Sequence, residues 1–269
     1  MFSGMTVAFV AGIPLGTFIG QHFGWRATFF VVAVFGLVAM LGALIFMPNN
    51  LPHKRPAPLL QQARVIAHPR LLLVYAMTAV GYGGSLIAFT FMAPILEQIS
   101  GFTPSQVSLV LVAYGVSVAI GNVWGGRLAD RLGPVKALKR IFALLAAVLL
   151  VFTFTSHNMW LAVLTMLAWG AVAFGNVPGL QVYVVKQAQR HAPQATDVAS
   201  GFNIAAFNLG VAGGSSAGGL IVAHLGLGHT PWIAAIVTLA AFALTALSGR
   251  LDRRADVPER AAEAAAMTH

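Results

Sequence analysis

The chain contains no cysteine, and only 9% of its 269 residues are charged. The first absence removes disulfides, thiolate metal sites and cysteine nucleophiles. The second decides more, because an ordinary soluble domain carries roughly 25% charged residues. Hydrophobic residues make up 58% of the chain, more than a globular exterior can hide when most of it must be wetted. The formal net charge of +9 does not point to nucleic acid. The cations fall in short clusters between long apolar runs, and no nucleic-acid-binding motif is present. No histidine spacing suggests a metal site, so neither a metal nor a cofactor is expected.

What the chain does have is eight apolar segments, at 4–20, 25–47, 71–93, 105–125, 138–155, 159–184, 197–223 and 231–249. About 20 apolar residues cross a bilayer as a helix, so the expected fold is an all-α integral membrane protein with eight transmembrane helices. No basic stretch precedes the first segment, and it carries glycines at 12, 16 and 20. It therefore reads as a span and not as a cleavable leader. Linkers 48–70, 126–140 and 185–196 and the tail 250–269 hold fifteen Lys and Arg; the alternate linkers hold one, Arg26. This positive-inside bias predicts that both termini are cytoplasmic.

The stretch "GGRLADRLGPVKALKR", residues 125–140, concentrates six charged residues in a chain poor in them. It resembles the signature loop of the major facilitator superfamily, a glycine, Leu-Ala-Asp-Arg and a second glycine followed by cations. Gly126, Leu128, Ala129, Asp130, Arg131 and Gly133 match, and Lys136 and Lys139 supply later cations; Pro134 stands where a cation is usual. The resemblance implies a cytoplasmic latch. In it Asp130 accepts hydrogen bonds from a neighbouring helix N-terminus, and Arg131 pairs with a carboxylate.

The resemblance covers the whole chain and implies a twelve-helix fold of two six-helix halves. Residues 71–249 would be one complete half, 1–47 the last two helices of the other, 48–70 the central cytoplasmic linker and 250–269 a cytoplasmic tail. The first four helices of the fold would be lacking. An internal echo supports the alignment: Gly12, Gly16 and Gly20 recur as Gly210, Gly214 and Gly218, and a tryptophan, Trp25 or Trp232, opens the span after each triplet. Small residues at this spacing suit close helix packing. "AGIPLGTFIGQHFGWRATFF" further resembles the fifth helix of the drug:proton antiporter group, in particular its arabinose-efflux-like and purine-ribonucleoside-efflux-like permeases. Here Ile13 separates Gly12 from Pro14, a pair that the motif has adjacent, and Pro14 retains the possibility of a kink.

Polar residues inside spans mark a pathway, because each costs energy in hydrocarbon. Segments 25–47, 138–155 and 231–249 contain no Asn, Gln or Tyr and read as lipid-facing. On 71–93, Tyr75, Thr78, Tyr82, Ser85 and Phe89 form one helical stripe; on 159–184, Trp169, Asn176 and Tyr183 align seven apart. Tyr75, Tyr82, Asn122, Asn176, Gln181, Asn203 and Asn208 are the candidate cavity lining. Asn203 and Asn208 lie about 140° apart on their helix, so one is expected to bond a neighbouring helix. For each of these residues an interhelical hydrogen bond is the plainer alternative.

The expected function is transport of a small solute (sugar, nucleoside or drug) by alternating access in the bacterial inner membrane. The resemblance implies efflux coupled to protons. No acid lies mid-span, and Glu97 sits at an outer helix end, so a proton carrier would belong to helices this chain lacks or to a partner chain. The alternative is a non-transporting fragment or one subunit of a split transporter. A membrane enzyme would need convergent acids, nucleophiles or metal ligands, and the spans are nearly free of titratable groups.

Overall fold

The computed structural model describes residues 12–46 and 67–266, and it is helical throughout apart from short connections. The helices are α1 (Ile13–Phe23), α2 (Trp25–Phe46), α3 (Pro69–Phe89), α4 (Met92–Gln98), α5 (Pro104–Leu132), α6 (Pro134–Thr155), α7 (Met159–Ala173), α8 (Asn176–His191), α9 (Thr196–His224) and α10 (Thr230–Ala266). Among the described residues, seven helical stretches are long and apolar enough to cross a membrane: Trp25–Phe46, Pro69–Gln98, Pro104–Leu132, Pro134–Thr155, Met159–His191, Pro193–His224 and Leu227–Ala255. Residues 4–11 of the expected span at 4–20 lie outside the described residues; most of the rest falls in α1, which has 11 residues and ends at Phe23. Residues 48–66 of the expected central linker also lie outside them.

Local chemistry explains where the helices start and stop. α3, α5 and α6 each open on a proline in the first turn, where its missing N–H costs nothing. Thr103 and Gln106 form a reciprocal capping box on α5, and the Asn158 side chain accepts from the amides of Trp160 and Leu161 to cap α7. Two expected spans are interrupted. The 71–93 segment breaks at Thr90–Phe91, four residues before Pro94, and the 159–184 segment breaks at Phe174–Gly175, four residues before Pro178. A proline ring clashes with the carbonyl four residues back and removes the bond to it, so both breaks fall where sterics place them. The second break interrupts the seven-residue register from Trp169 to Asn176.

The signature stretch 126–140 is not a loop. α5 continues through Leu132 and α6 begins at Pro134, leaving Gly133 as the single residue between them. Nothing before Gly133 stops the helix; Gly133 then takes φ 78°, a conformation that disfavours a side chain. Likewise α8 extends to His191, well into the expected linker at 185–196.

The core lies among α3 to α10. α3 packs on α9 and α10, α10 on α6, and α5 on α7, while α8 touches α3, α5, α6 and α9. The closest contacts are backbone on backbone at glycine. A Cβ on Gly210, Gly214 or Gly218 would strike the carbonyls of Ala79, Gly83 and Ile87, so α9 seats on α3 at three successive turns. Gly121 and Gly125 of α5 meet Ala171 and Gly175 in the same way. The earlier triplet packs more loosely: Gly16 and Gly20 face Thr28 of α2, and Gly12 faces open space. No residue of α2 is buried.

Candidate functional site

α3, α8 and α9 share a chain of side-chain hydrogen bonds. Thr78 Oγ1 donates to Asn203 Oδ1 at 2.6 Å, and Asn203 Nδ2 donates to Gln181 Oε1 at 3.2 Å. Gln181 Nε2 in turn donates to Ser200. Thr78 and Asn203 are buried, and each satisfies the other, as a polar pair sealed from water must. Asn208 behaves differently: it is exposed and donates to the Ile204 carbonyl of its own helix at 3.0 Å. Of the two asparagines, Asn203 bridges helices and Asn208 does not.

A second group is buried without that satisfaction. Both amide atoms of Asn122 and of Asn176, and the hydroxyls of Tyr75, Tyr82 and Tyr114, have no hydrogen-bond partner among the described residues. Asn176 is 0% exposed. Each such group forfeits about 1–3 kcal/mol of hydration unless something else bonds it. Asn122 follows Gly121 and Asn176 follows Gly175, and a Cβ on Gly175 would come within 3.3 Å of the Gly121 carbonyl, so both asparagines lie beside the contact between α5 and the break that separates α7 from α8. Aromatic rings surround the tyrosines. Tyr82 stands edge-on to Phe207 with centroids 4.2 Å apart, and Tyr114 tilts against Phe89 at 5.4 Å. Trp169, fully buried, donates its Nε1–H to Ser85 Oγ at 3.1 Å. The stripe on α3 is therefore divided in use: Thr78 and Ser85 bond other helices, while the Tyr75 and Tyr82 hydroxyls find no partner among the described residues.

At the end of the bundle where α3 begins, Asp252 of α10 collects three donors. Arg70 Nη2 lies 2.6 Å from its Oδ1, Gln187 Nε2 lies 2.8 Å from the same oxygen, and the Tyr183 hydroxyl donates to Oδ2 at 2.7 Å. Tyr183 also meets Ser248 Oγ at 2.7 Å. The Arg70–Asp252 contact is an ion pair. The cations of the tail give no hint of it in the sequence; an acid standing among arginines in so acid-poor a chain is the available signal. Tyr183, which shares α8 with Asn176 at the expected seven-residue spacing, belongs to this cluster. Beside it His68 caps α3 by accepting from the Arg70 amide, and its ring lies 4.7 Å from that of His191. Partial burial, then the neighbouring His191 and Arg70, hold the His68 pKa below its ordinary value.

Among the signature residues, Gly126 and Gly133 are half-buried, whereas Asp130 and Arg131 are exposed and in no ion pair among the described residues. Gly126 has room, with Pro178 the nearest neighbour at 3.8 Å. Gly12 precedes α1, while Pro14 lies in its first turn. No group of three His, Asp or Glu side chains among the described residues could hold a metal.

Residues 1–198 match the model of the Major Facilitator Superfamily. The chain is 44% identical over 254 residues to YtbD, an uncharacterised MFS-type transporter of Bacillus subtilis, covering 94% of this chain and 64% of that protein. It is 36% identical over 251 residues to YdhP, an inner membrane transport protein of Escherichia coli, covering 93% and 63%. A probable sugar efflux transporter of Pasteurella multocida is 30% identical over 84% of this chain and 54% of its own length. The chain thus spans less than two thirds of these relatives. With its apolar helices it is a multi-pass membrane protein, and it belongs to the major facilitator superfamily.

Proposed function

We propose that this chain of the major facilitator superfamily serves the efflux of a small solute across the bacterial inner membrane, by alternating access and in exchange for protons. The observation that carries the reading is the agreement between the family match, which takes in most of the chain, and relatives named as transporters, one of them for sugar efflux. In this reading residues 1–47 correspond to the fifth and sixth helices of a twelve-helix fold, 48–70 to its central linker and 71–249 to its second half. The chain's share of the relatives' length suits that correspondence. The excess of cations in alternate linkers supports cytoplasmic termini.

Tyr82 and Asn176 line the solute path, with Tyr75 and Asn122 beside them. Their support is chemical: buried amides and hydroxyls left without partners among the described residues are the groups a polar solute would bond. The Thr78–Asn203–Gln181 chain, already satisfied, is a tie between helices. Asp130 and Arg131, exposed at the α5–α6 turn, are free to latch a neighbouring helix in one access state and release it in the other. Sugar, nucleoside and drug-like solutes all remain within this class. Everted membrane vesicles offered a labelled pentose, a ribonucleoside and a cationic dye in turn test the reading. Accumulation of one of them that a protonophore abolishes is the expected result. No accumulation of any, at verified membrane abundance, would overturn it.

A further inference from the structure

A recess of about 300 Å³ opens where the α5–α6 turn meets α8 and α10, at the lower end of the size range of small-molecule sites. Lys136 and Lys139 of α6, Lys186 of α8 and Arg253 of α10 all line it. One carboxylate, Asp252, lines it too, but Arg70, Gln187 and Tyr183 already engage both of its oxygens. None of the four lining cations is in an ion pair among the described residues. Lys139 holds its ammonium 5.6 Å over the Phe242 ring, so at least one of them is directed by packing.

A topological preference for cations at one membrane face explains why Lys and Arg occur at this end. It does not explain why four of them, from three helices, converge on one concavity, where they repel one another. An anion between them removes the repulsion and gives each a charge-assisted hydrogen bond. A phosphate group presents more acceptor oxygens than a carboxylate and fits four donors better. Leu132, Val135 and Ala246 supply apolar wall beside the charges. That wall is tightly packed, since a Cβ on Gly249 would come within 2.5 Å of Val135 Cγ1.

We propose that this recess binds a phosphate group, carried either by the headgroup of an anionic phospholipid or by a small soluble phosphate. The occupant ties α6, α8 and α10 together at the charged end of the bundle, and the site stands apart from the proposed solute path. The proposal does not depend on what the protein transports.

The thermal midpoint of the purified chain in detergent tests it in two arms. One arm adds phosphatidylglycerol against phosphatidylcholine in mixed micelles; the other adds inorganic phosphate against chloride at equal ionic strength. A saturable rise in the midpoint is expected in at least one arm. A rise with the lipid alone assigns the group to a headgroup, and a rise with phosphate alone assigns it to a soluble ligand. The double variant Lys136→Gln/Lys186→Gln, at exposed positions, should weaken binding roughly tenfold or more, and Lys136→Arg/Lys186→Arg should retain it. No saturable rise in either arm, or a rise undiminished in the glutamine variant, would overturn the proposal. Neither result depends on solute flux, so failure here and failure of the transport reading are separate outcomes.

Discussion

Asp252 Oδ1 lies 2.6 Å from Arg70 Nη2, joining α10 to the first turn of α3 across 182 residues of sequence. Both side chains are 17% exposed, so the pair is neither a solvated surface contact nor a sealed one. Its strength comes from company, because Tyr183 and Gln187 saturate the same carboxylate. Asp252→Asn should destabilise the chain by about 2 kcal/mol, below the 3–5 kcal/mol seen when a fully buried pair is broken. Unfolding in a sodium dodecyl sulfate titration measures this. Combined with Arg70→Gln, the loss should fall short of the two single losses added, since the partners share one interaction.

The same end of the bundle should respond to pH through His68. Its pKa is lowered in the folded chain by burial, by His191 and by Arg70, from an ordinary value of 6.5. The groups facing it are therefore cationic or become so, with Asp252 held by Arg70. The unfolded chain takes up a proton near pH 6.5 that the folded chain resists. Stability from this group is complete above 6.5 and falls as pH drops toward the lowered folded value. Thermal midpoints from about pH 8 to about pH 5 should decline on the acid side, and His68→Gln should flatten that decline. An unchanged slope in the variant would count against it.

Adjacent glycines should differ sharply in tolerance. Gly214→Ala drives a methyl into the Gly83 carbonyl of α3, whereas Gly213→Ala meets nothing within 4 Å. The first should cost about 1–3 kcal/mol as an overpacked contact; the second should leave the thermal midpoint unchanged or slightly raised. The signature region repeats the contrast. Gly125→Ala strikes Gly175, whereas Gly126→Ala finds Pro178 at a comfortable 3.8 Å.

Cysteine replacements exploit a chain that has none of its own. If Tyr82 and Asn176 line a solute path, Tyr82→Cys and Asn176→Cys should react with a small water-soluble thiol reagent in the membrane, and substrate should slow the reaction. Asn203→Cys, at a position tied to Thr78 and Gln181, should react more slowly. Protection of all three equally would sink the assignment.

Asp130→Asn should lower transport at equal membrane abundance if Asp130 serves the proposed latch, while the carboxylate itself is exposed and in no ion pair among the described residues. Its thermal midpoint should therefore stay near that of the parent. Normal flux would refute the latch, and a large loss of stability would show that Asp130 does structural work.

Several features were readable from residues alone, and others were not. The breaks before Pro94 and Pro178 follow a local steric rule, yet the length of the apolar runs conceals them. The end of α5 was misplaced for the opposite reason. Charged residues suggested a loop at 126–132, but charge does not stop a helix that emerges from hydrocarbon, and only Gly133 and Pro134 do. The polar stripes pick out polar residues within the helices without telling bonded ones from unbonded ones. Thr78 and Tyr82 share a helix face, and only the neighbours on α8 and α9 decide that the first is paired.

The sequence by itself determined the class of protein, since apolar segments of bilayer length and a shortage of charge leave an extended chain no other solvent. It also determined where close helix approach was possible, through glycines four residues apart. Which helices make that approach, which buried amides find partners, and the gathering of Arg70, Tyr183, Gln187 and Asp252 were decided only by the tertiary structure. Those contacts join residues scores of positions apart, and no local pattern carries the geometry of a partner on another helix.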